Sequence, residues 1–209
     1  MPSAALNYSL TWPGLPAPVA PVRAEQLALL GEPQPIKVPA RLWHCWLSDP
    51  LIVARFEIKR YQRSDHLCWP WLAAVSSTGH GSFRATSLPG LSRRGTVPAH
   101  LFAFQLVRGV IPRLGWSGTE DLVLCHQCDS AGCTNPGHLR LGTNASNRAE
   151  YTARRRNPTG ALADVRGAAG RTRAIAAAIR AGLAAEEDSD EIEDRIHAAQ
   201  AAGLPFTLW

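Results

Sequence analysis

Residues 121–158 read DLVLCHQCDSAGCTNPGHLRLGTNASNRAEYTARRRNP. DLVLCH is a short apolar run and predicts a strand. QCDSAGCTNPG is made of turn-forming residues and predicts a tight loop. HLRLGT alternates and predicts a second strand. Thr143 or Asn144 can cap a helix that runs through Tyr151 into Arg154, Arg155 and Arg156. That helix must stop near Pro158, because a residue before proline is steered out of the helical region. The order is therefore strand, loop, strand, helix.

Five metal-binding residue types fall within this unit: Cys125, His126, Cys128, Cys133 and His138. Cys128, Cys133 and His138 surround one loop, and zinc asks for four Cys or His ligands in a tetrahedron. The fourth must come from elsewhere. Cys68, in CWPW at 68–71, is the first candidate, Cys45 the second and Cys125 the third. The alternative is a set of free buried thiols. If Cys68 completes the zinc, His126 at the end of the first strand is free to act as a base. The alternative is that His126 is itself a zinc ligand.

Outside the unit, AHLFAFQLVRG at 99–109 predicts a helix ended by Gly109. Residues 67–86 predict a β-hairpin turning at its Ser/Thr/Gly segment, and 41–63 a short helix after Pro50. Residues 1–40 are rich in Pro and Ala and read as an extended or poorly ordered segment. Residues 158–209 read as a helical extension: a basic, Ala-rich helix, an acidic stretch, a second helix, and an apolar anchor PFTLW. The body between them is 41–157. Most of the core should come from the first two thirds of the chain, since six of the seven Trp precede residue 117.

The net charge of +5 hides a division. Seven acids crowd into 186–194, so residues 1–185 carry 21 basic against 10 acidic residues, a net of +11. Nearly all of that positive charge is Arg, whose fork suits phosphate. Nucleic acid is the first partner to consider, although an Arg-rich and Ala-rich composition also follows from a GC-rich genome. No run is long and apolar enough to span a membrane, the N-terminus has no signal-peptide pattern, and five Cys in such a chain favour metal chemistry over disulfides. The expectation is a cytoplasmic protein with no membrane partner, a monomer or a homodimer.

The elements CWPW (68–71), GHG (79–81), AHLFAF (99–104), HQCDSAGCTNPGHLRLGT (126–143) and Asn147 together resemble the HNH endonucleases of phages and mobile elements, within the ββα-metal (His-Me finger) class. The resemblance covers about residues 50–157 and is most specific over 126–147. It implies an α+β fold: a zinc-stapled ββα-metal finger with an N-terminal β-hairpin and helix, here followed by the helical tail. It implies a DNA phosphodiester hydrolase with His126 as general base, and with Asn147 on the helix holding a catalytic magnesium or manganese ion. The structural zinc set would be Cys68, Cys128, Cys133 and His138. His138 takes the place of the middle Asn of the class name, and Asn135 is grouped with the site as the residue that shapes the loop with Pro136. His100, in AHL, is either a structural hydrogen-bonding residue or part of the site lining.

Arg148, Arg154, Arg155 and Arg156 on the helix, with Arg171 and Arg173 on the tail, are the expected contacts to double-stranded DNA. These would supply affinity rather than sequence reading. The tail helix either enters a groove or packs on the body. Cys125 stands where many relatives have Asp or His, and Leu101 where they have Arg. The alternative reading is accordingly a zinc-braced DNA-binding module whose catalysis has decayed.

Overall fold

In a computed structural model the chain divides into two compact units, residues 1–34 and 35–209. The structure describes residues 38–88, 95–116 and 121–205, all in the second unit. The expected N-terminal segment lies almost wholly outside the described residues, as does most of the PFTLW anchor. The described residues form six α-helices and two small antiparallel sheets. None of these helices is long and apolar enough to cross a membrane.

Two helices open the body, α1 (Ala40–Ser48) and α2 (Pro50–Glu57), where the sequence predicted one. Asp49 separates them. Its carboxylate accepts hydrogen bonds from the amides of Leu51 (2.8 Å) and Ile52 (3.3 Å), and Pro50 pre-sets the first helical turn. α1 forms because Trp43 and Trp46, three residues apart, bury one face. Trp43 packs on Phe102 of α3 (Ala99–Arg108), with ring centroids 6.2 Å apart.

The expected hairpin at 67–86 is short, its arms pairing only over 74–76 and 80–82, where Ser82 donates to the Ala74 carbonyl (2.7 Å). Ser76 donates to the carbonyl of His80 (2.9 Å) and Val75 bridges to Gly81, but β1 (Ser82–Arg84) then pairs with β2 (Thr96–Pro98). The arm before the turn spends its backbone groups elsewhere. Trp71 donates to the Gly132 carbonyl (3.0 Å), Thr134 donates to the Trp69 carbonyl (2.8 Å), and Pro70, which has no N–H, accepts from Tyr61 (2.9 Å). The segment is a strap across the 128–138 loop, so its apolar run reports burial rather than a partner strand.

β3 (Val123–His126) pairs antiparallel with β4 (Leu139–Gly142), and α4 (Asn144–Arg154) follows directly. The Thr143 side chain caps α4 at Ser146, whose hydroxyl in turn accepts from the Thr143 amide (3.0 Å). The main core is aromatic. Phe56, Trp71, Phe83 and Phe102 are nearly or fully buried, with ring centroids 4.7–6.0 Å apart.

The tail pairs α5 (Gly167–Ala184) with α6 (Ser189–Ala201) through Ile175, Ile179, Ile192 and Ile196, against Tyr61 and Leu72 of the body. The acidic stretch starts α6: Asp188 caps it and Glu191 reaches back to complete a capping box. Glu193 pairs with the buried guanidinium of Arg63, with 2.6 Å between Nε and Oε1. α5 lies on the body. Thr172 donates to the Gly79 carbonyl (3.0 Å), and Ala168 and Thr172 approach so closely that a Cβ at Gly79 or Gly132 would meet them at 2.7 Å and 2.4 Å.

Phe56 touches every ring of the aromatic core. Phe56→Ala should cost about 3–5 kcal/mol in chemical denaturation. A loss below about 1 kcal/mol would show that the four rings do not form the core.

A candidate metal centre beside a histidine-lined cleft

Cys128 and Cys133 lie on the loop between β3 and β4, and His138 closes a short 3₁₀ turn after Pro136. Asp129, in the left-handed region at φ 57°, and the Cys133 amide bonded to the Ser130 carbonyl (3.0 Å) fold the loop back on itself. Asn135 shapes its far side. Its side-chain oxygen accepts from the Gly137 amide, while its amide group donates to the carbonyls of Asp65 and Leu67, each at 2.8 Å. Those last two bonds draw in the strap just before Cys68.

The result is one group in which Cys68, Cys128, Cys133 and His138 bring a donor atom each to within 4.8 Å of one another. His138 Nδ1 lies 3.6 Å from Cys68 Sγ and 3.7 Å from Cys133 Sγ. Bonds of about 2.3 Å to sulfur and about 2.0 Å to nitrogen, opened to a tetrahedral angle, separate S and N by about 3.5 Å. Both separations from His138 therefore match a tetrahedral ion such as zinc, which the group could hold. Three sulfurs this close cannot all ionise unaided. Hydrogen bonds from Cys133 and Cys68 hold the Cys128 thiol down at about 2, whereas bonding to Cys128 pushes Cys68 up to about 12 and raises Cys133 as well. A dication relieves that competition and releases protons as it binds.

Cys125 is fully buried on β3, with its sulfur against Gly142, and belongs to no donor group among the described residues. Cys45 is exposed on α1.

His126 ends β3. Its Nε2 lies 3.1 Å from the Cys133 carbonyl oxygen, an atom that can only accept, so Nε2 carries the proton and Nδ1 is the basic nitrogen. Its own carbonyl accepts from Arg154 (3.2 Å). Burial lowers its pKa below 6.5, against the raising effect of Cys128. The ring is neutral at pH 7.

His126 opens into a cleft of about 830 Å³. Asn147, Arg148 and Tyr151 of α4 form one wall, and Thr78 and His80 of the turn another. Leu162 and Ala168 extend it with the tail. His80, His100 and His126 cluster here, with ring centroids 4.8 Å (80–100), 4.9 Å (100–126) and 5.5 Å (80–126) apart. Burial lowers all three pKa values, that of His80 to about 4. His80 entered the sequence reading only as the middle of GHG (79–81), with no role given to it, and the tail wall had no signal.

The arginines divide. Arg148 faces the cleft, while Arg155 and Arg156 are exposed, Arg155 over the Tyr151 ring at 5.9 Å. Arg173 is exposed on α5. Arg154 pairs with Asp129 at 2.9 Å and Glu150 at 3.3 Å. Arg171 is largely buried, 3.4 Å from Asp164. No protein-family model, curated protein or solved structure matches this chain.

Cys133→Ser should abolish stoichiometric zinc in elemental analysis and lower thermal stability sharply. Zinc affinity of the unaltered chain should fall as pH falls, because protons compete for the sulfurs. Full zinc content in the variant would remove the ligand assignment.

Proposed function

We propose that the chain is an HNH-type endonuclease of double-stranded DNA, with the β3–loop–β4–α4 unit as a ββα-metal finger. The observation that carries this reading is His126: a half-buried, neutral imidazole, proton-bearing on Nε2, basic on Nδ1, lining a cleft walled by an arginine-bearing helix. Nδ1 takes a proton from water as the water oxygen bonds to phosphorus and the P–O3′ bond breaks. The 3′-oxygen picks up a proton from solvent, leaving a 5′-phosphate and a 3′-hydroxyl.

The zinc group acts at one remove. The Cys133 carbonyl that fixes the His126 tautomer belongs to a zinc ligand. Arg154 holds the His126 carbonyl and ties α4 to the loop, so it positions the base rather than contacting DNA. Arg148, Arg155 and Arg156 remain to meet phosphates. A dication near Asn147 would supply charge stabilisation at the scissile phosphate when bound. Magnesium suits the lining poorly. Asp129, the one carboxylate among the described lining residues, is paired with Arg154.

Plasmid cleavage across a panel of dications tests the reading. The unaltered chain should nick or linearise DNA, and His126→Ala should be slower by about 10²-fold or more. The rate should hold on the alkaline side and fall only below about pH 6.5, where a His of lowered pKa takes up its proton. Equal rates for the two proteins would overturn the role of His126. DNA binding by an inert chain would favour a binding module instead. Replacing Arg148, Arg155 and Arg156 by Ala should flatten the dependence of log affinity on log salt by about 0.9 for each phosphate no longer neutralised. An unchanged slope would detach α4 from the DNA.

A further inference from the structure

The described cleft lining lacks what magnesium prefers and holds what it does not. Magnesium is bound by carboxylate, carbonyl and water oxygens. Imidazole nitrogen favours cobalt, nickel and zinc. The described lining offers two imidazoles, His80 and His126, the side-chain amides of Asn144 and Asn147, and a carboxylate already paired with Arg154.

His80 is built like a ligand. Its Nδ1 lies 2.9 Å from Thr78 Oγ1, and that hydroxyl lies 2.9 Å from Ser76 Oγ. The hydroxyl chain fixes the ring and leaves Nε2 as the nitrogen open to the cleft's contents. A metal-binding histidine characteristically has its other ring nitrogen held in this way. A second observation points to an occupant. His100 is only 7 % exposed, and its Nδ1 has no hydrogen-bond partner among the described residues. A buried polar atom left unsatisfied costs about 1–3 kcal/mol. Its ring packs against both neighbours, 4.8 Å from that of His80 and 4.9 Å from that of His126.

We propose that the cleft binds a borderline dication of the cobalt, nickel or zinc kind, in preference to magnesium, through His80 Nε2 and the side-chain oxygen of Asn147, with water completing the shell. The ion is not caged by three imidazoles. Among the described residues only the Cys68, Cys128, Cys133 and His138 group draws three or more donor atoms together within 4.8 Å. His126 keeps Nδ1 for its work as a base. The cation's use in cleavage rests on the nuclease reading; its binding does not.

The test uses the full chain with one zinc already bound. Nickel, cobalt and magnesium are titrated in by calorimetry, with cobalt also followed by visible absorbance. One further nickel or cobalt ion per chain should bind, at least tenfold more tightly than magnesium. His80→Ala and Asn147→Ala should each weaken nickel tenfold or more at unchanged zinc content. His80→Gln, which offers oxygen for nitrogen, should narrow the nickel-to-magnesium ratio and guards against a folding defect in the Ala variant. No second ion, equal affinity in His80→Ala, or magnesium binding as tightly as nickel would overturn the site. Nickel held by His80 with DNA left intact under every metal would keep the site and remove the nuclease reading. Magnesium-driven cleavage indifferent to His80 would do the reverse.

Discussion

The structure depends on four side chains able to hold a metal, from two distant segments, meeting at one point. Cys68 and His138 are separated by 70 residues, and the intervening chain contains β1, β2, α3 and β3. Closing so long a loop is opposed by chain entropy, and the strap that does it has little regular pairing of its own. Binding of a structural zinc by small folds is worth about 10–16 kcal/mol, comparable with the whole stability of an ordinary domain. The bonds Trp71–Gly132, Thr134–Trp69 and Asn135–Leu67 surround the ligands and hold the strap in register with the loop. The local geometry of the site inherits its precision from that convergence, since the acceptor that sets the His126 tautomer is the carbonyl of Cys133.

The tail is part of this arrangement rather than an appendage. Arg63 spans both halves. Its guanidinium pairs with Glu193 of α6 and also donates to the Cys68 carbonyl (3.3 Å), so the Cys/His group and a tail helix share one buried cation. Thr172 holds the turn that carries His80. The small residues of α5, which could have served close approach to DNA, serve close approach to the body.

Much of this was legible because local signals and tertiary demand agree. β3, β4 and α4 follow from alternation, turn residues, the Thr143 cap and Pro158. Cys68 follows from counting ligands. The failures share one cause, namely that partner choice is not a local property. The pattern at 67–75 could not say that the arm pairs with a loop 60 residues on. Asp49 looked like a residue before a proline, yet its cap allows two helices where one was expected. Arg154 and Arg171 look like Arg148 and Arg173 in the sequence. Only the positions of Asp129 and Asp164 separate an arginine that holds the fold from one left to face a ligand.

That division of arginines bears on how a cleft with so much histidine can work beside so much positive charge. Three imidazoles near one another would repel if protonated, and Arg148 and Arg154 line the same cleft. Burial resolves the conflict by keeping the rings neutral at pH 7. Pairing Arg154 with Asp129 and Glu150 removes one cation from the balance. The cleft is thus lined by neutral nitrogen donors and by Arg148 together. Such a lining offers a cation to an anion while leaving uncharged lone pairs free for a water, a proton or a metal ion.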